Sequence, residues 1–300
     1  MKEKLLAAEM DGAKKRGIFF DFFALAKITV AVVAALIFSA LKTEGEAYIY
    51  TSYILGGAAI CAVSYFFCRH YGYDFKEEIS FKKAGGVHYI YAALLLFSMI
   101  FGLSGLNGYF VAFLEKFGYK YTEITLPEFS AFNYAAVIFT VCIIPAVTEE
   151  IAFRGVILSG IKGGGKIGSA IVVGFVFAVY HASPAQTIYQ FAVGFLFSLL
   201  AFESGSVLPT VIVHFLNNFI IINVYYFCGG NMDFGEIWNI ILTVSGVVAA
   251  AAFIYIMVKR GEKSKVGFAK KWLILRNFLF YGFLGIIAYV ALWILSLLGL

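Results

Sequence analysis

Nine apolar runs, separated by short clusters of charge, divide the chain: residues 19–41, 47–68, 88–106, 131–159, 167–182, 185–202, 207–227, 236–258 and 277–299. A helix needs about 20 apolar residues to cross a bilayer, and most of these runs come close to that length or pass it. A transmembrane β-strand would be about 10 residues long and would alternate apolar with polar positions, which no run does. Lipid offers the backbone no water, so runs of this length pair their amides within a helix. The pattern predicts an all-α fold: a polytopic membrane helical bundle of about eight to nine transmembrane helices. It forms one membrane-embedded domain over residues 1–300.

The polar breaks carry predictions of their own. Residues 107–130, with Glu115, Lys116, Lys120, Glu123 and Glu128, read as a solvated outer loop, and 69–86 as a mixed-charge inner loop. Residues 259–276 set Trp272 and apolar residues among bases and read as a helix lying on the membrane surface. Gly163-Gly164-Gly165 is a turn; no GKS or GKT follows, so it is not a phosphate loop. Gly56, Gly57 and Gly102 suit close helix packing. The first run is too long for a cleavable signal peptide, carries Asp21 and Lys27 at its start, and lacks a small-x-small exit.

Composition agrees with an embedded chain: 62% of residues are hydrophobic and 14% charged, against about 45–50% and about 25% in soluble domains. Charge orients it. With the N-terminus cytoplasmic, eighteen of the 23 Lys and Arg fall in the inner segments 2–16, 69–83, 162–166 and 259–276. Only Lys42, Lys116 and Lys120 fall outside, while Lys27 and Arg154 lie within spans. That asymmetry is the positive-inside rule. The net charge of +5 therefore reports topology and contact with membrane lipid, and no nucleic-acid partner is expected. Cys61, Cys68, Cys142 and Cys228 form no CxxC pair and read as buried inert thiols.

An ionisable group inside the bilayer is expensive, so it marks function by default. Glu149, Glu150 and Arg154 lie in the fourth run, His181 ends the fifth, and His214, Asn217 and Asn218 lie in the seventh. At about 1.5 Å per residue, Glu149 sits about 16 Å from the inner end of its span, His181 about 22 Å, and His214 and Asn218 about 14 and 20 Å. With alternating helix directions all four fall within about 8 Å in depth, which predicts one shared site. Glu150 and Arg154 are four residues apart, as are His214 and Asn218, so each pair shares a helix face. Pro145, four residues before Glu149, frees a backbone carbonyl ahead of the acids and kinks the helix there.

These residues spell Glu149-Glu150-Ile151-Ala152-Phe153-Arg154, Phe177-Ala178-Val179-Tyr180-His181 and His214-Phe215-Leu216-Asn217-Asn218. In order and spacing they resemble the CPBP family (CAAX protease and bacteriocin-processing, Abi-type), whose motifs are EExxxR, FxxxH and HxxxN. The resemblance covers about residues 131–225 and marks that stretch as the catalytic core. It implies an intramembrane endopeptidase, a CAAX prenyl protease-like enzyme or one acting on bacteriocin- or pheromone-like peptides. It makes Glu149 the water-activating base, helped by His181. His214 and Asn218 would then bind the oxyanion, and Glu150 with Arg154 would hold the site in shape. It also implies a core one helix smaller than the nine runs, a peptide or protein partner carrying a lipid, and a multi-pass protein of a bacterial plasma membrane.

The residues support this chemistry without the family. A carboxylate beside water is a general base, and an imidazolium or an amide supplies donors to a developing oxyanion. They equally admit a metal, because Glu149, His181 and His214 are a zinc ligand set that leaves a position for water. Against that stand the absence of HExxH and the weakness of Asn218 as a ligand. Two other functions fit intramembrane acids and histidines: an ion-coupled transporter or channel, and a non-catalytic bacteriocin-immunity protein. The first usually shows two related halves, which this chain lacks. Glu150 with Arg154 reads as a structural ion pair, Asn217 as an interhelical hydrogen bonder, and Tyr180 and Phe177 as packing residues. His70 and His88 read as solvated at the inner membrane edge. The site is expected to open laterally or toward the cytoplasm, beside residues 154–166.

Overall fold

The computed structural model describes residues 2–41, 45–121, 125–230, 232–260 and 267–299. Lys42, Glu123, Lys263 and Lys265 lie outside them. All nine apolar runs are helical, and no strand occurs among the described residues. The helices in order are α1 (Lys2–Leu41), α2 (Glu46–Tyr71), the short α3 (Phe75–Ile79), α4 (Gly86–Lys116), α5 (Ala131–Gly164) and α6 (Lys166–Tyr180). There follow α7 (Thr187–Ser204), α8 (Leu208–Phe227), α9 (Glu236–Lys259), α10 (Phe268–Tyr281) and α11 (Phe283–Leu298). Seven helices are long and apolar enough to cross a membrane, and α10 with α11, bent by 65°, makes an eighth. The chain is an integral, multi-pass membrane protein.

The remaining apolar run is α6, only 15 residues long and thus about 22 Å, short of a bilayer's hydrocarbon thickness. It is packed inside the bundle instead. Gly174 of α6 meets Gly194 of α7 so closely that a Cβ on Gly194 would lie 2.8 Å from the Gly174 Cα. Gly57 and Gly102 serve the same end: a Cβ there would strike Ile144 at 2.3 Å and the Gly246 backbone at 2.5 Å.

Two boundaries differ from the reading of apolar runs. Helix α4 continues to Lys116, so the non-helical loop starts at Phe117 rather than at 107. Ser104, Gly105, Asn107 and Gly108 interrupt the apolar run without breaking the helix. At the other end, α10 runs on past residue 276 to Tyr281, because the bend falls at Gly282. There Asp21 of α1 accepts the Gly285 N–H at 2.7 Å, capping the first turn of α11. Asp21 thus has a structural task that its place in the first run did not reveal.

The two ends of the bundle are chemically distinct. At one end Arg16 pairs with Glu78 at 2.8 Å, Ser159 donates to the same carboxylate, and Glu203 pairs with both Lys166 and Arg260. The Ser80 hydroxyl ties α3 to the turn after α7 by donating to the Gly205 carbonyl at 2.7 Å. At the opposite end Asn133 donates to Glu46 at 2.8 Å, and Tyr226 donates to the Pro127 carbonyl at 2.9 Å. Phe129, Tyr134, Tyr226 and Phe227 pack edge to face into an aromatic cluster there, as expected of residues at a membrane–water boundary.

Candidate active site

Helix α5 carries the acids between two π-helical segments, Ile138–Ile143 and Ile151–Ile157. Such segments are uncommon and recur at functional sites. Pro145 explains the first. It has no N–H for the carbonyl of Val141 four residues earlier, and the helix runs on through it as one span. The Val141 carbonyl instead accepts Nδ2 of Asn218 from α8 at 3.2 Å. The carbonyl freed by Pro145 is therefore the anchor of the third motif.

Glu149 is 9% exposed and faces a cavity of about 1990 Å³ that it shares with His181, His214, Asn217 and Asn218. The Tyr180 hydroxyl donates to its Oε1 at 3.2 Å. Tyr180 does pack, its ring 5.3 Å from that of Phe153, but packing is only half of its role. A tyrosine rather than a phenylalanine next to His181 in an apolar helix was the available signal.

Both imidazoles are held by Nδ1. His181 ends α6, and its Nδ1 donates to the Phe177 carbonyl at 2.8 Å. The chain then turns through Ala182, which has φ 48°, a left-handed conformation usually left to glycine at a helix end. His214 Nδ1 lies 3.0 Å from Oε1 of Glu150. Each ring thereby keeps Nε2 for the cavity. The Phe177 ring covers the Arg154 guanidinium at 4.4 Å, so one residue of the second motif orients both a histidine and an arginine.

Glu150 and Arg154 sit behind the cavity wall, at 0% and 3% exposure. Arg154 Nη1 binds Glu150 Oε1 at 2.8 Å, and its Nη2 reaches the Gly194 carbonyl at 3.4 Å. The pair supports His214 rather than facing the cavity. Asn217 accepts the Tyr189 hydroxyl at 2.9 Å, an interhelical bond as its sequence position suggests, and it also donates to Asn218 at 3.3 Å. Tyr189, Asn217, Asn218 and Val141 form one hydrogen-bonded relay from α7 to α5.

Polar residues without a place in the motifs also line the cavity, among them Lys27 of α1, Tyr53 of α2 and Tyr289 of α11. Only Lys27 gave any sign in the sequence, as a base inside an apolar run. As donors toward a metal, Glu149, His181 and His214 are chemically suited, and Nδ1-anchored imidazoles are also how metal-ligating histidines are oriented. Among the described residues, however, no three His, Cys, Asp or Glu converge on a common point.

The cavity is lined away from residues 154–166, none of which borders it. The cavity runs out past Pro127, Glu128, Phe129, Gly229 and Met232, the end bearing the aromatic cluster. Residues 154–158 are buried instead. The cause is α3, whose Ile79 backbone lies against Gly155, where a Cβ would come within 3.2 Å. Together with the Arg16–Glu78 pair it covers Gly155 at the basic end, where a smaller cavity is lined by Arg154, Ser159 and Lys162.

A multi-pass helical bundle with an acid and two tethered imidazoles in a cavity within its spans defines the class: a membrane protein with a buried polar centre. Residues 131–220 match the family model described as Type II CAAX prenyl endopeptidase Rce1-like. That is the family the three motifs resemble, and the match covers less than a third of the chain. Comparison with curated proteins and with solved structures gave no match.

Proposed function

We propose that the protein is an intramembrane endopeptidase of the glutamate type, with residues 131–225 as the catalytic core of a membrane-embedded domain spanning residues 1–300. The observation that carries this reading is the shared cavity: Glu149, held by the Tyr180 hydroxyl, opens onto the same space as His181 and His214. Glu149 takes a proton from a water oriented by Nε2 of His181. The hydroxide attacks the scissile carbonyl carbon, and the π electrons move onto oxygen. Nε2–H of His214 and the second N–H of Asn218 meet that oxyanion. The intermediate then expels the amine, which receives the proton held by Glu149. Glu150 and Arg154 touch neither water nor substrate; they fix the His214 ring.

The substrate is a peptide or protein bearing a lipid, of the prenylated CAAX type or a bacteriocin- or pheromone-like peptide. Its lipid chain lies along the apolar stretch of α1 at Ile28, Ala31 and Val32, which also lines the cavity. The protein sits in a bacterial plasma membrane with its N-terminus cytoplasmic, supported by eighteen of 23 basic residues falling in segments on that side. The test is cleavage of a prenylated CAAX peptide by purified protein in detergent, with products identified by mass spectrometry. Glu149→Gln should lose about 10²–10⁴-fold in rate, the usual worth of a positioned base. Full activity in that variant would sink the assignment.

A further inference from the structure

Lys27 lies in α1, inside an apolar run, and among the described residues it is the one Lys or Arg that lines the cavity. An ammonium at such a depth is costly unless it is paired or used. Its Nζ makes no hydrogen bond and no ion pair with the described residues. It sits 5.7 Å from the centroid of the Tyr180 ring and feels the charge of Glu149 across the cavity. Room for it is built into α2: a Cβ on Gly56 would lie 2.6 Å from Nζ. A cation is therefore held beside the water-activating carboxylate, yet not bonded to it.

The gap between them has a size. Ion pairing within 4.0 Å is absent, which sets the lower bound. The upper bound follows from the Tyr180 ring, whose hydroxyl reaches Glu149 at 3.2 Å and whose centroid lies 5.7 Å from Nζ. Adding the ring's own half-length puts ammonium and carboxylate at most roughly 12 Å apart. An extended peptide advances about 3.3–3.6 Å per residue, so one to about three residues fit between a bond cleaved at Glu149 and an anion held at Lys27. The anion that every peptide carries at its end is its C-terminal carboxylate.

We propose that Lys27 binds the C-terminal carboxylate of the substrate, and so confines cleavage to the last few peptide bonds of the chain. The inference rests on the endopeptidase reading and adds a specificity-determining residue to it. The simpler role, a counter-charge for Glu149 alone, would not distinguish a free acid from an amide.

The experiment reads binding on the Glu149→Gln variant, so that turnover does not intervene. Two prenylated CAAX peptides are compared, identical except that one ends in a free carboxylate and the other in a carboxamide. The free acid should bind about tenfold or more tightly, the worth of a hydrogen bond to a charged group. Adding Lys27→Met should drop the free acid to the level of the amide and leave the amide unchanged, and Lys27→Arg should restore the preference. Equal binding of both peptides to Glu149→Gln, or a preference that survives Lys27→Met, would overturn the proposal. Cleavage retained by Glu149→Gln would overturn the catalytic assignment instead, while the binding preference could still be read.

Discussion

The Nδ1 of His214 and the Nη1 of Arg154 converge on the same oxygen, Oε1 of Glu150, at 3.0 Å and 2.8 Å. One buried carboxylate thus ties the first motif to the third. Glu150 is not a spare acid beside Glu149 but the fixed point from which an imidazole is aimed into the cavity.

This arrangement predicts a thermodynamic cycle. Breaking a buried ion pair on one side leaves an uncompensated charge and costs about 3–5 kcal/mol. Glu150→Gln and Arg154→Met should each destabilise the protein by that order, while the double variant should lose much less than the sum. Thermal unfolding in detergent measures it, and additive losses would mean the pair is not coupled. Activity should fall in all three variants, because each removes either Glu150 or the Arg154 bond that holds it against His214.

A second cycle links Pro145 to Asn218. Asn218→Ala leaves the Val141 carbonyl without its donor, a loss of about 1–3 kcal/mol. Pro145→Ala restores an N–H to that carbonyl from within α5, so in its presence Asn218→Ala should cost clearly less. An equal penalty in both backgrounds would show that the amide does not substitute for the missing backbone donor.

These two relationships show what the sequence made legible. Spacing revealed that Glu150 and Arg154 share a face, that Pro145 frees a carbonyl, and that the polar residues of three helices lie at similar depth. Those are properties of single helices, fixed by rise and turn. Which helix face meets which is set by tertiary packing, and it decided the rest. The freed carbonyl found Asn218, the second acid found His214, and Tyr180 turned its hydroxyl toward Glu149. The packing of α3 over Gly155 was also beyond reach, because α3 is only five residues long and nothing in a mixed-charge loop announces such a contact.

Ala182 offers a local test. Its φ of 48° is a conformation that costs non-glycine residues roughly 1–2 kcal/mol, more for β-branched ones. Ala182→Gly should be neutral or stabilising by under about 1 kcal/mol, since relief of strain is offset by a more flexible unfolded chain. Ala182→Val should destabilise by about 1–3 kcal/mol and lower activity through His181, its immediate neighbour. Equal melting temperatures for the two variants would count against the strained turn.

Chelation separates the two ways of activating water. If Glu149 acts directly, a strong chelator should leave cleavage of the prenylated peptide unchanged, and added zinc should not raise it. Activity lost to the chelator and regained with zinc would transfer water activation from Glu149 to a metal held with His181 and His214, whose Nε2 atoms would serve as donors.

The direction of the cavity can be tested with a residue the protein already has. Contrary to the reading of all four cysteines as buried, Cys228 is exposed, since it follows α8 beside Gly229 of the cavity lining, whereas Cys68 and Cys142 are buried and Cys61 is partly so. With the N-terminus cytoplasmic, α8 ends on the non-cytoplasmic side, as the basic residues gathered at the other end require. A membrane-impermeant maleimide added to intact cells should therefore label the protein, and Cys228→Ser should abolish the label. Ser159→Cys in the Cys228→Ser background should stay unlabelled until the cells are opened. The opposite pattern would invert the topology and bring substrate from the cytoplasm. The expected pattern would place the aromatic-lined end of the cavity, at Glu128 and Phe129, on the non-cytoplasmic face.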